Sequence, residues 1–216
     1  MSKFIHATLV VTFAMTSCLV PRHSAAEAAA SAPADQSYDR SDLNMTYHPP
    51  AGWTTQDVAQ VKAEGPNAKA AECMKILFSS TPPNVGEGAE GLSLGVTVVD
   101  AVRSCVPKDM TPEAQLQSMV ENTGKMPGLK TVKNPSAYFI DGRTFWGTVA
   151  KGKPQLASGS TSNTEVYVAM VGAVVKDHVI LWEMTAADIP MLQQMATSTI
   201  QFTGKQPHIL YKVNIK

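Results

Sequence analysis

The segment Val166–Val175 constrains the fold of this chain more than any other part of its sequence. Its letters, VYVAMVGAVV, are apolar or aromatic at both the odd and the even positions. A strand with one face in water alternates apolar with polar residues, whereas a strand covered on both faces is apolar throughout. The sequence therefore predicts that this segment is a central strand of a sheet with both faces covered.

The block Pro135–Thr203 around this segment predicts an antiparallel meander that is followed by a helix. The first stretch, SAYFIDGRTFWGTV, divides at Asp141-Gly142, a dipeptide that favours a two-residue hairpin turn. Lys176-Asp177 then turns the chain into the strand HVILWEM. Asp188 or a residue beside it is predicted to cap a last helix that extends into the letters IPMLQQMATSTIQF.

A long hairpin is predicted between Cys73 and Cys105. Its strands are CMKILFSS and LSLGVTVVDAVRSC, and the loop between them, TPPNVGEGAEG, is rich in proline and glycine. Alternation along the first strand predicts that Met74, Ile76 and Phe78 share one face.

An amphipathic helix is predicted to begin at Thr111-Pro112-Glu113 and to stop at Gly124. Thr111 suits the cap, Pro112 suits the first turn, and the Glu113 carboxylate suits the positive end of the helix dipole. With an extended segment at Met45–His48, the order is strand, hairpin, helix, meander, helix. We predict an α+β fold, a mainly antiparallel β-sheet flanked by helices on both faces in an α/β/α sandwich.

The N-terminus carries the pattern of an export signal. Residues 1–26 combine Lys3, an apolar run and a small-residue tract, which predicts a signal peptide cut after Ala26. In the alternative, Met15-Thr16-Ser17-Cys18 resembles a bacterial lipobox, so that Cys18 is acylated and the protein is a membrane-anchored lipoprotein. A retained N-terminal anchor is the third interpretation.

The chain beyond this signal suits a single domain. Residues 27–44 are predicted to be a flexible spacer, residues 45–203 the domain and residues 204–216 a C-terminal tail with a final edge strand. Removal of Lys3 and Arg22 with the signal leaves 16 basic against 18 acidic groups, a formal charge of −2. That balance argues against nucleic acid as a partner, and no further segment is apolar enough to span a membrane.

Two cysteines remain in the mature chain, Cys73 and Cys105. In an oxidising compartment such a pair usually forms a disulfide, and closing this loop contributes about 3 kcal/mol on the chain-entropy model. The hairpin register does not place the two residues directly opposite each other, so the bond needs a bulge or an extension of the strands. Two buried free thiols are the alternative.

No set of residues in the sequence predicts catalysis, a cofactor or a metal site. His48, His178 and His208 are scattered and are interpreted as surface or turn residues. Ser158-Gly159-Ser160 is interpreted as a turn, because it lacks the surroundings of a nucleophile elbow. The carboxylates of Glu87, Glu90 and Glu183 are interpreted as solvated charges. The methionines in or just before the last helix, Met184, Met191 and Met195, are interpreted as core filling.

Four short stretches resemble the PsbP-like superfamily of α/β/α sandwiches, and the resemblance spans residues 45–203. They are Tyr47–Trp53 (YHPPAGW), Thr111–Glu113, Ile140–Arg143 and Leu181-Trp182. The superfamily includes an extrinsic photosystem II subunit and many exported bacterial proteins. The resemblance implies the fold only, because its members have unrelated functions.

We therefore predict an exported, non-catalytic module, periplasmic or extracellular, that binds a protein or another cell-envelope component or supports an assembly. The alternative is a small-ligand carrier or a hydrolase with a pocket between the sheet and the helices. Because loops on a rigid scaffold often carry recognition, the loop 152–163 and the region around Trp53 are the predicted contact surfaces.

Overall fold

The computed structural model describes residues 37–56, 73–83, 92–102, 105–156 and 160–215. The predicted signal peptide, Cys18, most of the spacer and the loop glutamates Glu87 and Glu90 lie outside these ranges. Within them the chain forms two antiparallel sheets and two α-helices. The predicted class, α+β with mainly antiparallel strands, is confirmed.

The larger sheet contains seven strands, and every neighbouring pair in it is antiparallel. In spatial order they are β3 (Thr54–Gln56), β4 (Met74–Thr81), β5 (Gly95–Ala101), β9 (His178–Ala186), β8 (Val166–Val175), β7 (Arg143–Gly152) and β6 (Leu129–Ile140). Strand β8 lies between β7 and β9, and eight of its ten residues are buried. The prediction of a central strand with both faces covered is confirmed.

The smaller sheet changes the predicted boundaries of the domain. Its four strands, in spatial order, are β1 (Tyr38–Arg40), β2 (Met45–His48), β10 (Thr199–Phe202) and β11 (His208–Ile209). Residues 38–40 were predicted to be spacer, yet they pair with β2. The predicted edge strand at the C-terminus is present, and Leu210 and Tyr211 beyond it are buried, so this segment is part of the core and not a free tail.

Both helices begin where the capping residues predict. The Thr111 hydroxyl accepts a hydrogen bond from the Ala114 amide at the start of α1 (Pro112–Asn122). The Asp188 carboxylate caps α2 (Ile189–Ala196). Helix α2 ends earlier than predicted, because the residues after it pair with β2 as strand β10. In the described ranges neither helix is long and apolar enough to cross a membrane.

A bulge in β4 overturns one predicted face. Ile76 pairs with Val99, whereas Phe78 pairs with Val98, so Leu77 is an additional residue in its strand. Such a bulge shifts the alternation of side chains by one position. Met74 and Ile76 consequently pack on one face of the sheet, and Phe78 packs on the other.

The two faces of the large sheet are covered differently. One face packs against the small sheet and α2 through the small-sheet cluster, which includes Tyr47, Phe145 and Trp182. The other face carries α1 and two clusters. The α1 cluster comprises Val99, Ala101, Leu116, Val120, Met170, Val179 and Leu181, and the strand-end cluster comprises Leu92, Leu129, Ala150, Val166 and Val168. The small sheet therefore forms much of the layer that covers this first face, where the predicted α/β/α sandwich has helices.

The predicted disulfide joins Cys73 and Cys105, whose Cα atoms are 5.5 Å apart. The hairpin register predicted that this bond needs a bulge or an extension of the strands, and backbone hydrogen bonds form such an extension. The Val102 amide donates to the Cys73 carbonyl at 2.9 Å, which continues the β4–β5 pairing by one residue. The Cys105 amide then donates to the Val102 carbonyl at 3.2 Å, so a turn returns the second sulfur to the first.

Candidate functional site

An open groove of about 340 Å³ lies where β6 begins and β7 ends. We call it the lysine groove, because three of the seven residues that line it are lysines. The lining residues are Gly128, Lys130, Lys151, Gly152, Lys153, Thr161 and Glu165. Three lysines against one glutamate leave an excess of two positive charges in the groove.

Two glycines allow the backbones at the base of the groove to approach each other. The Lys153 amide donates to the Gly128 carbonyl at 3.0 Å. A Cβ atom at Gly152 would lie 2.0 Å from the Gly128 carbonyl oxygen, and one at Gly128 would lie 1.9 Å from the Lys153 carbonyl oxygen. Gly128 also has a φ of +82°, which residues with a side chain rarely adopt. The glycines therefore fix the start of the loop that follows.

The loop after β7 is anchored at its base. Gln155 and Thr161 form an antiparallel bridge, and the Ser162 amide donates to the Pro154 carbonyl at 2.9 Å. Pro154 and Ser162 are buried, and Leu156 packs against the strand-end cluster. Residues 157–159 lie outside the described ranges.

Two lysines in the groove oppose each other. Lys130 pairs directly with Lys151 between β6 and β7. Directly opposed side chains share a face with Cβ atoms about 4.5–5.5 Å apart, where like charges destabilise the pair. Lys151 Nζ lies 2.7 Å from Glu165 Oε1, and this hydrogen bond raises the pKa of Lys151. Among the described residues, no carboxylate pairs with Lys130 or Lys153, so two ammonium groups remain for an external anion.

Irregular pairing of β6 creates this juxtaposition. Counting back from the Asp141-Gly142 turn would place Val132 opposite Lys151. Two register shifts, one between Thr131 and Lys133 and one between Lys133 and Ser136, replace it with Lys130. Proline lacks the amide hydrogen of a regular ladder and is tolerated on edge strands. Pro135 inside a strand-like stretch was therefore a sequence signal for the second of these shifts, between Lys133 and Ser136.

The residues singled out from the sequence do not converge on one site. Trp53, around which a contact surface was predicted, is itself 2% exposed and belongs to the small-sheet cluster. His178 Nδ1 lies 2.8 Å from Asp100 Oδ2, and His208 Nε2 lies 3.1 Å from Asp141 Oδ1.

Two further predictions concern buried side chains. The His48 side chain is half-buried at the end of β2, and its Nε2 atom is buried with no hydrogen-bond partner among the described residues. Met184 and Met195 are buried in the small-sheet cluster and Met191 packs against it, which confirms the prediction of core filling.

Glu183 is the clearest correction to the sequence interpretation of charged residues. It was predicted to be a solvated charge, but it lies half-buried in β9, between β5 and β8. Burial raises the pKa of its carboxyl group to about 7. The sequence signal was its position in the alternation of the strand, because the apolar residues Val179 and Leu181 lie on the same face of β9 and are buried.

Comparison with known proteins finds matches among solved structures. No protein-family model matches the chain, and no curated protein matches its sequence. Among solved structures, it is similar to the solution structure of cyanobacterial PsbP from Synechocystis sp. PCC 6803. The TM-score is 0.40 and the identity 13%, over 76% of this chain and 86% of that chain. We carry over no residue, function or partner from it.

Proposed function

We propose that this protein is an exported, non-catalytic binding module of the cell envelope, and that the lysine groove contacts an acidic face of a protein partner. The observation that carries the proposal is the opposed pair Lys130 and Lys151 beside the unpaired Lys153. The like-charge arrangement costs stability in the isolated chain, and a bound anion would relieve it.

The strength of such contacts favours a large partner over a small ion. An exposed ion pair contributes about 0.2–1 kcal/mol, so three lysines would hold a single small anion only weakly. A protein partner can present several carboxylates at once. Lys133, farther along β6, is not counted among these contacts, because its Nζ donates to the Lys212 carbonyl at 2.8 Å and lies 4.1 Å from the centre of the Tyr211 ring.

The disulfide supports export. Bonds of this kind form and persist in oxidising compartments and are rare in the cytosol, so Cys73 and Cys105 fit the periplasm or the cell exterior. Cleavage after Ala26 and acylation of Cys18 remain the two alternative maturation routes. Either route would deliver the described domain to the envelope.

The experiment is a crosslinking pull-down from envelope extract of the native host with charge-reversed variants. We expect the double variant Lys130→Glu/Lys153→Glu to lose most of the captured partner, and capture to weaken with rising salt. The matched control is Lys108→Glu/Lys205→Glu, which makes the same charge change at two exposed lysines outside the groove.

Two results would contradict the proposal. Capture that survives the groove variant unchanged would show that the groove is not the contact. Equal losses in both double variants would show a general charge effect. Lysines on an edge strand also discourage pairing with other strands, and the sedimentation of each variant separates this role from partner binding.

A further inference from the structure

A row of side chains crosses the face of the large sheet that α1 partly covers. Ser79 on β4 is opposite Thr97 on β5, and Thr97 is opposite Glu183 on β9. Glu183 is in turn opposite Met170 on β8, which is opposite Thr148 on β7. Neighbours in such a row have Cβ atoms about 4.5–5.5 Å apart. Four of its five members are polar, in the middle of a sheet.

The row lies on the α1 face because of the alternation along the strands. Val99 and Leu181 belong to the α1 cluster. Thr97 is two residues before Val99, and Glu183 is two residues after Leu181, so all four side chains point to the same face. The pairing of β5 with β9 is continuous over this stretch, and no bulge interrupts the alternation.

The two ends of the row differ in their access to solvent. Met170 and Thr148 are each 1% exposed. Ser79, Thr97 and Glu183 are only half-buried, so the row is open on the β4–β5–β9 side. The α1 cluster borders the row along the strands in one direction, and Val168 of the strand-end cluster lies in the other direction on β8. The opening is thus a polar site with apolar borders.

The open part of the row holds polar groups that have no partner in the part of the chain that the structure describes. No hydrogen bond or ion pair to the Glu183 carboxylate, or to the Ser79 and Thr97 hydroxyls, is found among the described residues. A carboxylate that is partly removed from water without a partner is costly, and burial accordingly raises the pKa of Glu183 to about 7. A cation at this position would stabilise the ionised form.

We propose that Ser79, Thr97 and Glu183 form a binding site for a small organic amine, held as its ammonium ion. The Glu183 carboxylate accepts a charge-assisted hydrogen bond from the ammonium, and the hydroxyls accept its other N–H groups. The apolar part of the ligand lies against the bordering clusters. This is a small-ligand site of the kind that the alternative prediction placed between the sheet and its helices, and it does not depend on the lysine groove.

The test is a titration of the full chain with n-butylammonium chloride, followed by the backbone amide signals of residues around the row. We expect saturable shifts at Thr97 and Glu183. Glu183→Gln should weaken binding by roughly ten- to a hundredfold, because a hydrogen bond to a charged group is lost. Thr97→Val, which removes one hydroxyl and keeps the side-chain shape, should weaken it by a few-fold.

Matched controls separate this site from general charge and from apolar binding. Glu113→Gln, at an exposed glutamate of α1, should leave the affinity unchanged, and so should Lys130→Glu/Lys153→Glu. The uncharged isostere n-butanol should bind at least tenfold more weakly, and n-butylammonium should bind more tightly at pH 8 than at pH 5.

The proposal is overturned by the absence of saturable shifts, by equal affinity for n-butanol, or by equal weakening in Glu183→Gln and Glu113→Gln. Loss of butylammonium binding confined to the Glu183 and Thr97 variants supports it. The groove variants test the proposed protein contact separately, so the failure of one proposal leaves the other standing.

Discussion

The two faces of the large sheet bury their side chains in different ways. On the small-sheet face, aromatic rings meet directly: Trp182 lies 6.1 Å from Phe145 and 6.3 Å from Tyr47 between ring centres. On the α1 face, the polar row divides the apolar residues into two clusters.

This difference separates a continuous apolar core on one face from a face on which polar side chains lie among the apolar ones. Adjacent residues of β9 illustrate it, since Trp182 is fully buried in the small-sheet cluster and Glu183 is half-buried on the opposite face. We therefore expect substitutions on the first face to act on unfolding alone. Substitutions along the polar row should also act on pH dependence and binding.

The largest expected effect is at Trp182. Trp182→Ala removes a fully buried ring from the small-sheet cluster and should lower the free energy of unfolding by about 3–5 kcal/mol, measured by urea denaturation. Trp182→Phe is the control, because it keeps an aromatic ring and removes a buried indole N–H that has no hydrogen-bond partner among the described residues. It should cost clearly less. A loss below about 1 kcal/mol in Trp182→Ala would show that the small-sheet face does not dominate stability.

The second effect is a pH dependence carried by Glu183. Its pKa is about 7 in the folded chain against an ordinary value of 4.5, so the folded state holds the proton over this range when the unfolded state has released it. Stability should therefore fall as pH rises from about 4.5 to 7, by at most about 3 kcal/mol, and partial exposure of the side chain lowers this figure.

Glu183→Gln removes this ionisation. We expect its free energy of unfolding to exceed that of the natural chain at pH 8 and to approach it at pH 4.5, as measured by denaturation at both values. Parallel pH curves for the two proteins would contradict the assignment of the raised pKa to this residue.

A smaller effect should come from the contact between α1 and the sheet. A Cβ atom at Gly172 would lie 2.4 Å from Leu116 Cδ1 and 3.0 Å from the Ile180 carbonyl oxygen. Gly172→Ala should therefore destabilise the protein by about 1–3 kcal/mol through overpacking, visible as a lower midpoint of thermal unfolding. In a protein that already carries Leu116→Ala, Gly172→Ala should lower the midpoint of thermal unfolding by less. An equal loss in both proteins would show that the added Cβ atom clashes with a residue other than Leu116.

The sequence predicted those parts of the fold whose signals are local. Asp141-Gly142 and Lys176-Asp177 form the expected turns, and the residues at 141, 142, 176 and 177 all have positive φ. Thr111 and Asp188 form side-chain caps at the starts of α1 and α2. Apolar residues at both the odd and the even positions identified β8 as a central strand. Each of these signals is contained within a few residues, so it does not depend on distant partners.

The features that escaped prediction depend on which strands meet. Residues Thr199–Phe202 continue a stretch whose sequence looks helical. They nevertheless pair with β2, which lies about 150 residues earlier in the sequence. The opposition of Lys130 and Lys151 depends on the register shifts in β6, and the polar row depends on the order of five strands. Neither the groove nor the row could be read from spacing along the chain.

The covalent bond between Cys73 and Cys105 has a topological consequence for the β4–β5 hairpin. It closes a ring that contains both strands and the connection between them. A protease that cuts once inside this ring would divide the polypeptide without releasing either piece, and the two would part only after reduction and unfolding. The two strands that carry Ser79 and Thr97 would thus stay covalently linked after a single cut in the backbone.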